Sequence, residues 1–116
     1  MQDFKKLVVW QKAHLLAVSV YKATSVFPKE ELYGLTSQIR RACVSIPSNI
    51  AEGCGREGPA ELSRFLQISL GSVKEIEYQL LLAHELNYLS SPDYGRLDNQ
   101  VIEVRKLLIS FIQKLK

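Results

Sequence analysis

Hydrophobic residues recur at three- and four-residue steps in four successive stretches of the chain. These stretches run from Leu7 to Thr24, from Leu32 to Ile50, from Leu62 to Leu86 and from Leu97 to Leu115. Such spacing places apolar side chains on one face of an α-helix, and no stretch shows the strict alternation typical of a half-buried β-strand. The last stretch nearly forms the apolar seam of a coiled coil. The pattern predicts an all-α protein.

Proline and glycine residues separate the four stretches. Gly58-Pro59 and Ser91-Pro92 are typical of helix starts, because proline is tolerated in the first turn and Ser91 is a suitable N-cap. Short connections between long helices favour antiparallel neighbours. We therefore predict an antiparallel up-down-up-down four-helix bundle that forms a single domain over residues 1–116. A repeat protein is disfavoured, because the stretches share no residue pattern.

Two helix-disrupting residues lie inside predicted helices. Pro47 removes one helical hydrogen bond, so we expect the second helix to kink there. In a hairpin of the second and third helices, Gly71 is expected opposite Cys43. This placement indicates either close packing of the two backbones or a polar seam that sets how the helices pair.

Polar residues flank the apolar stripe on both helices of this hairpin. A partly buried Arg–Glu pair with serine and asparagine hydrogen bonds would be costly if incomplete and specific if complete. The predicted seam comprises Arg41, Ser45, Asn49, Glu52, Ser72 and Glu75. We interpret it as a structural network. An enzyme that uses Arg41 and Glu52 would need a solvent-open pocket at this seam, and we expect no catalytic residues.

Other candidate chemistry is weak. Gly53, Gly55 and Gly58 match the dinucleotide fingerprint GxGxxG, but a helix precedes them where the fingerprint requires a strand. The histidines lack partners at metal-binding spacing. Cys43 and Cys54 are about 16 Å apart along one helix and cannot bond to each other. We expect no cofactor and no metal.

Composition and charge narrow the class further. The chain has 116 residues, of which 47% are hydrophobic and 23% are charged, as in a soluble globular protein. We see no membrane span and no signal peptide, so we expect a cytoplasmic protein. The formal net charge of +3 is, as a total, too small to indicate that the protein binds nucleic acid.

The distribution of charge is more informative. In the predicted bundle, one end gathers most of the basic residues, with Arg105 nearby. One interpretation is that these residues keep the surface soluble and complement the dipole of the fourth helix. The other is a surface that binds phosphates of RNA or DNA. The residues are Lys5, Lys6, Lys12, Arg56, Arg64, Arg105, Lys106, Lys114 and Lys116.

Three apolar runs exceed what one core-facing stripe requires. They cover residues 15–18, 80–83 and 107–112, the last interrupted at Ser110. Surplus apolar surface on a helix marks a partner, and a second copy of the chain is the simplest one. We therefore expect a homo-oligomer.

The central part of the chain resembles a known family. The matching segments are Phe27-Pro28, Glu31, Tyr33 to Thr36, Gln38 to Ala42, Ser45 to Pro47, Asn49 to Gly53 and Arg56, with Leu7, Trp10, Ala13 and Tyr21 before them and Phe65-Leu66, Gly71-Ser72 and Glu75 to Leu80 after them. The chain is similar to bacterial four-helix bundle proteins encoded in intervening sequences of 23S ribosomal RNA genes. Ser69 and Asn87 depart from the family pattern, where alanine and glycine are usual.

The resemblance implies a non-enzymatic bundle that forms a homopentamer. That family is similar to the accessory proteins of diversity-generating retroelements, whose basic pentamer engages nucleic acid and a reverse transcriptase. Arg40, Arg41, Asn49 and Glu52 match the family motif as structural or interface residues. Two hypotheses follow: an oligomeric adaptor associated with nucleic acid, or an assembly module without a nucleic-acid role.

Overall fold

The computed structural model describes residues 2–116 and contains four α-helices. They are α1 (Val8–Thr24), α2 (Leu35–Cys54), α3 (Pro59–Glu85) and α4 (Ser91–Lys114), with short 3₁₀ turns at Phe4–Lys6 and Lys29–Glu31. The described range contains no strand. Each helix packs against its neighbours in the chain, and α4 closes against α1. The predicted all-α, up-down-up-down four-helix bundle is confirmed.

Apolar side chains from all four helices form one core. Leu16 of α1, Ile46 of α2, Leu66 of α3 and Leu108 of α4 are each fully buried. Burial of one such side chain stabilises the fold by about 1.5–3 kcal/mol. The stripes predicted from the sequence are therefore the faces that the bundle buries.

The ends of α3 and α4 show how polar residues delimit the helices. Ser90, and not the predicted Ser91, is the N-cap of α4, and its hydroxyl accepts a hydrogen bond from the Asp93 N–H at 3.3 Å. At the end of α3, Asn87 adopts a left-handed conformation with φ of 64°. The Tyr88 N–H donates to the Ala83 carbonyl at 2.9 Å, which completes a Schellman motif. Asparagine thus fills a role usually given to glycine.

The second helix begins later than its apolar pattern predicts. Leu32, taken from the sequence as the first residue of the stripe, lies before α2 and is 49% exposed. The helix starts at Leu35, whose N–H donates to the Glu31 carboxylate at 3.1 Å. A carboxylate at this position satisfies one of the unpaired N–H groups of the first turn.

The close backbone packing that was one interpretation of Gly71 does not occur, although the Ser72–Ser45 hydrogen bond places this part of α3 beside Ser45 of α2. Gly71 is exposed, and a Cβ added there would meet no atom within 4 Å. The close approach of α2 and α3 occurs at Gly53, where an added Cβ would lie 3.0 Å from side-chain atoms of Leu62 and Phe65. Helix α2 continues through the buried Pro47.

Candidate binding surfaces

The four helix ends that were predicted to share one end of the bundle do so. The Gln2 N–H donates to the Cys54 carbonyl at 3.3 Å, which ties the N-terminal segment to the end of α2. Cys54, Pro59 and Leu115 line one cavity, which brings the end of α2, the start of α3 and the end of α4 together. We call this region the basic end.

The basic residues around this end fall into two groups. Lys12, Arg56, Arg64 and Arg105 form ion pairs with Glu103, Glu52, Glu61 and Glu77, at 3.6, 3.0, 3.0 and 3.0 Å. The hydrogen bond from Arg64 lowers the pKa of the exposed Glu61 carboxyl. Within residues 2–116, the remaining basic residues have no carboxylate oxygen within 4.0 Å. These residues are Lys5, Lys6, Lys106, Lys114 and Lys116.

Arg105 lies along the side of the bundle and away from the basic end. Its partner Glu77 is about 27 Å along α3 from Pro59, at 1.5 Å per residue. The Arg105–Glu77 pair links α4 to α3 and is only about one quarter exposed. The nine basic residues taken together from the sequence therefore do not form one surface.

Part of the polar seam forms as predicted. The Ser72 hydroxyl of α3 donates to the Ser45 hydroxyl of α2 at 3.0 Å. The Asn49 amide donates to the Ser45 carbonyl at 2.8 Å and to its hydroxyl at 3.0 Å. The fully buried Ser69 of α3 donates to the carbonyl of Ile46, the residue after Ser45, at 2.8 Å. The two serine bonds connect α2 to α3, whereas the Asn49 bonds lie within α2 and orient Ser45.

The charged part of the predicted seam does not form as a pair. Glu52, near the end of α2, binds Arg56 just beyond the end of that helix, and both side chains are about half exposed. Arg41 donates to the Ser37 hydroxyl at 3.1 Å. Arg41 and Glu75 line one depression of 390 Å³ with Ser45 and Ser72, yet the described chain contains no Arg41–carboxylate contact within 4.0 Å.

An apolar groove of 680 Å³ runs between α1 and α2. Trp10 and His14 stack in parallel on its α1 side, with ring centroids 5.1 Å apart. Val44 and Pro47 contribute the α2 side, and Val44 is 41% exposed. The sequence indicated surplus apolar surface at residues 15–18, and Val18 does line this groove. The contribution of α2 was missed, because Val44 and Pro47 belong to a helix whose stripe looked fully used by the core.

The thiols are poorly suited to nucleophilic chemistry. Cys43 and Cys54 are free and buried, as expected for two thiols that cannot bond to each other. Burial raises the pKa of the Cys43 thiol to about 12 and also raises the pKa of Cys54. Neither thiol is poised as a thiolate near neutral pH.

The histidines occupy different surroundings. His84 stacks on Tyr94 at 4.6 Å and lies 3.1 Å from the Leu89 carbonyl oxygen through its Nδ1, whereas His14 is in the groove. Within residues 2–116, no three His, Cys, Asp or Glu residues are grouped so that they could hold a metal ion. No helix in the same range is long and apolar enough to cross a membrane.

Known proteins match this chain in sequence as well as in fold. The profile of the 23S rRNA-intervening sequence protein family matches residues 5–110. A crystal structure from Bacteroides thetaiotaomicron, described as a protein of unknown function from the S23 ribosomal protein family, is 30% identical with a TM-score of 0.84. The alignment covers 91% of this chain and 96% of that one. No curated protein matches the chain.

Proposed function

The chain belongs to the 23S rRNA-intervening sequence protein family, and on that premise we propose that it is a non-enzymatic, oligomeric adaptor that associates with nucleic acid. The observation that carries the proposal is the group of lysines at the basic end that have no carboxylate partner within residues 2–116. Lysines already paired with glutamate gain little from a phosphate, whereas unpaired lysines attract it and release its counterions.

Positions along the helices support a shared lysine surface. Lys5 and Lys6 lie in the 3₁₀ turn that precedes α1, and Lys114 ends α4. Lys106 lies about 12 Å before that end, at 1.5 Å per residue and next to Arg105, so it flanks this surface from the side of the bundle. All four side chains are exposed. A surface of this kind binds the nucleic-acid backbone without reading bases.

The apolar groove between α1 and α2 supports self-association. A groove lined by Trp10, Val18 and Val44 is larger and more apolar than scattered surface residues on a monomer require. Self-association of the protein through this groove would place several basic ends in one assembly. Weak phosphate contacts at each end would then add through multivalency. The stoichiometry expected from the resemblance, a pentamer, is part of this proposal, as is a reverse-transcriptase-like protein partner.

A salt titration with matched variants tests the nucleic-acid role. Binding of a fluorescent single-stranded RNA to the full chain should weaken steeply between 50 and 200 mM salt, on the order of tenfold or more. Lys5→Gln/Lys114→Gln should reduce the slope of log affinity against log salt by roughly 1.4. Lys29→Gln/Lys74→Gln makes the same charge change outside the basic end and should leave the slope unchanged. Equal slopes for the two double variants would contradict the proposed surface.

The second candidate is an assembly module without a nucleic-acid role. The observation that favours it is the neutralisation of Arg56 and Arg64 by glutamates, which weakens the positive field of the basic end. Molar mass in solution, measured with and without RNA, separates the candidates. An oligomer that fails to bind RNA or DNA at low salt would establish the assembly module and exclude the adaptor.

A further inference from the structure

The arginines of this protein fall into two groups, those that contact a carboxylate and those that do not. Arg56, Arg64, Arg96 and Arg105 each have a carboxylate oxygen at 2.9–3.0 Å. Within residues 2–116, the two arginines without a carboxylate oxygen inside 4.0 Å are Arg40 and Arg41. These two are adjacent in α2, and both line one cavity of 540 Å³ near the start of that helix. Two uncompensated guanidinium groups in one cavity favour an anionic ligand.

Arg40 is held in place by neutral groups. Its Nε donates to the Thr24 hydroxyl at 2.9 Å, and its Nη2 donates to the Tyr21 carbonyl at 3.3 Å. The guanidinium lies 4.7 Å above the Tyr21 ring. These contacts use Nε and Nη2, and the Nη1 donors have no hydrogen-bond partner within residues 2–116. Because the side chain is already ordered, it would lose little conformational entropy on binding.

Arg41 is oriented by one neutral contact. Its Nη2 donates to the Ser37 hydroxyl at 3.1 Å, four residues earlier in α2. Ser37 lines the same cavity, so its hydroxyl oxygen holds Arg41 at the edge of the space an anion would occupy. The remaining N–H donors of the guanidinium are free to form the bidentate contact that phosphate accepts.

Thr36 gives a second reason to expect a ligand in this cavity. It lines the cavity and is 3% exposed, and its Oγ1 has no hydrogen-bond partner in the described chain. A buried hydroxyl without a partner costs about 1–3 kcal/mol. Thr36 lies in the first turn of α2, where the Glu31 carboxylate already accepts from the Leu35 N–H, so the hydroxyl and not the helix end is the group left for a ligand. Rotation about χ1 would turn this hydroxyl towards the cavity, where an oxyanion would satisfy it.

The nearest acidic residues do not fill the site. Glu31 has both carboxylate oxygens engaged, one by the Leu35 N–H at 3.1 Å and the other by the Tyr88 hydroxyl at 3.0 Å. Glu75 lines the depression on the other side of Arg41. It makes no ion pair within 4.0 Å in the described chain. The charge of the two arginines is therefore available to a ligand.

We propose that this cavity binds a nucleoside phosphate. The phosphate would be held by Arg40, Arg41 and the hydroxyl of Thr36. Tyr33 lines the same cavity and is 93% exposed, so its ring is free to stack on a base. A volume of 540 Å³ accommodates a ligand of this size.

The site is separate from the basic end. It is built on the start of α2, whereas the basic end contains the end of that helix about 29 Å away, at 1.5 Å per residue. A nucleoside phosphate is available as a free nucleotide or as part of a single-stranded nucleic acid. Both present the same phosphate and base, and binding measurements distinguish them.

An NMR titration of the ¹⁵N-labelled full chain tests the proposal. Adenosine monophosphate should shift the amide signals of Thr36 and Ser37, and inorganic phosphate should shift the same signals with weaker affinity. A short single-stranded oligonucleotide that shifts the Thr36 and Ser37 signals with higher affinity than the mononucleotide, in Lys5→Gln/Lys114→Gln as well as in the parent, identifies nucleic acid as the source. Equal or weaker binding at these signals identifies the free nucleotide.

Variants of the exposed and buried cavity residues complete the test. Arg41→Gln should weaken mononucleotide binding about tenfold or more, and Thr36→Val by roughly threefold to tenfold. Arg96→Gln, which removes an exposed arginine of α4, should bind as the parent does. The amide signals of Arg41→Gln in the same NMR experiment show whether this variant is folded. Unchanged affinity of Arg41→Gln, or inorganic phosphate binding as tightly as the mononucleotide, would overturn the proposal.

Discussion

Gly53 of α2 and Phe65 of α3 approach so closely that a methyl group on Gly53 would lie 3.0 Å from the Cβ of Phe65. The same methyl group would lie 3.0 Å from Cδ1 of Leu62. Because the Phe65 Cβ is attached directly to the backbone, relief of this contact requires movement of the helix. The absence of a side chain at residue 53 therefore sets the spacing of α2 and α3 near the basic end.

Alanine substitutions at two helical glycines should have opposite effects on stability. Gly53→Ala is expected to lower the free energy of unfolding by about 1–3 kcal/mol, because its Cβ forces α2 and α3 apart. Gly71→Ala adds a Cβ that meets nothing within 4 Å, so it should raise stability by roughly 0.5–1 kcal/mol. Urea denaturation of both variants measures the difference. A stabilising Gly53→Ala would contradict the close approach.

The Ser45–Ser72 hydrogen bond should contribute a measurable coupling between α2 and α3. Alanine at either position removes the 3.0 Å contact, while the double variant removes both hydroxyls. We expect a coupling free energy of about 0.5–1 kcal/mol in a double-mutant cycle. Ser63 and Gln67, whose 3.4 Å contact is exposed on one helix, form the control pair and should show a smaller coupling. Equal coupling in both pairs would remove Ser45–Ser72 as a pairing determinant.

Stability should fall in alkaline solution through the Cys43 thiol. Its pKa is raised from 9.0 to about 12 by burial, so the unfolded chain loses this proton first. The stabilisation is therefore fully present below pH 9 and is lost as the pH rises towards 12, by up to about 1.4 kcal/mol per pH unit. Cys43→Ala should flatten this decline. Ile39→Val removes buried volume without a titrating group, and it should lower the whole curve without changing its slope.

Introducing a charge into the apolar groove should weaken self-association. Val44→Glu places a carboxylate in the proposed contact, where an unpaired buried charge should weaken association by about 100-fold or more. Val26→Glu is the control, because Val26 is 81% exposed and lies outside the groove. Light scattering coupled to gel filtration measures the mass. An unchanged mass for Val44→Glu would show that the groove is not the contact surface.

The sequence is sufficient to predict helices but not which small residues face a neighbour. Periodicity locates the core side chains, because each stripe repeats over several turns. The pattern groups Gly53 with the glycines that follow the second stretch and places Gly71 inside the third, yet Gly53 lies within α2 in close contact and Gly71 is exposed. Whether a glycine faces the neighbouring helix depends on how α2 and α3 are rotated about their own axes. Successive residues point about 100° apart around a helix, so a small rotation changes which residue makes the contact. No local pattern specifies that angle.

The same limit applies to the charged residues. Sequence position brings Lys5 and Lys114 to one end correctly, since helix direction alone determines it. The pairing of Arg105 with Glu77 depends on side-chain reach across two helices, so the sequence could not show that this residue near the basic end is already neutralised. Arg40 was noticed through family resemblance, but its lack of an acidic partner is a property of the fold.

The connection between α2 and α3 has a consequence for how the chain folds. These helices are separated only by residues 55–58, and their contacts join residues that are close in the sequence. Closing so short a loop costs little entropy, so this hairpin should form early. Contacts between α1 and α4 join opposite ends of the chain and can form only after the other helices are in place. The bundle is therefore expected to assemble outward from α2 and α3, with the α1–α4 seam closing last and opening first.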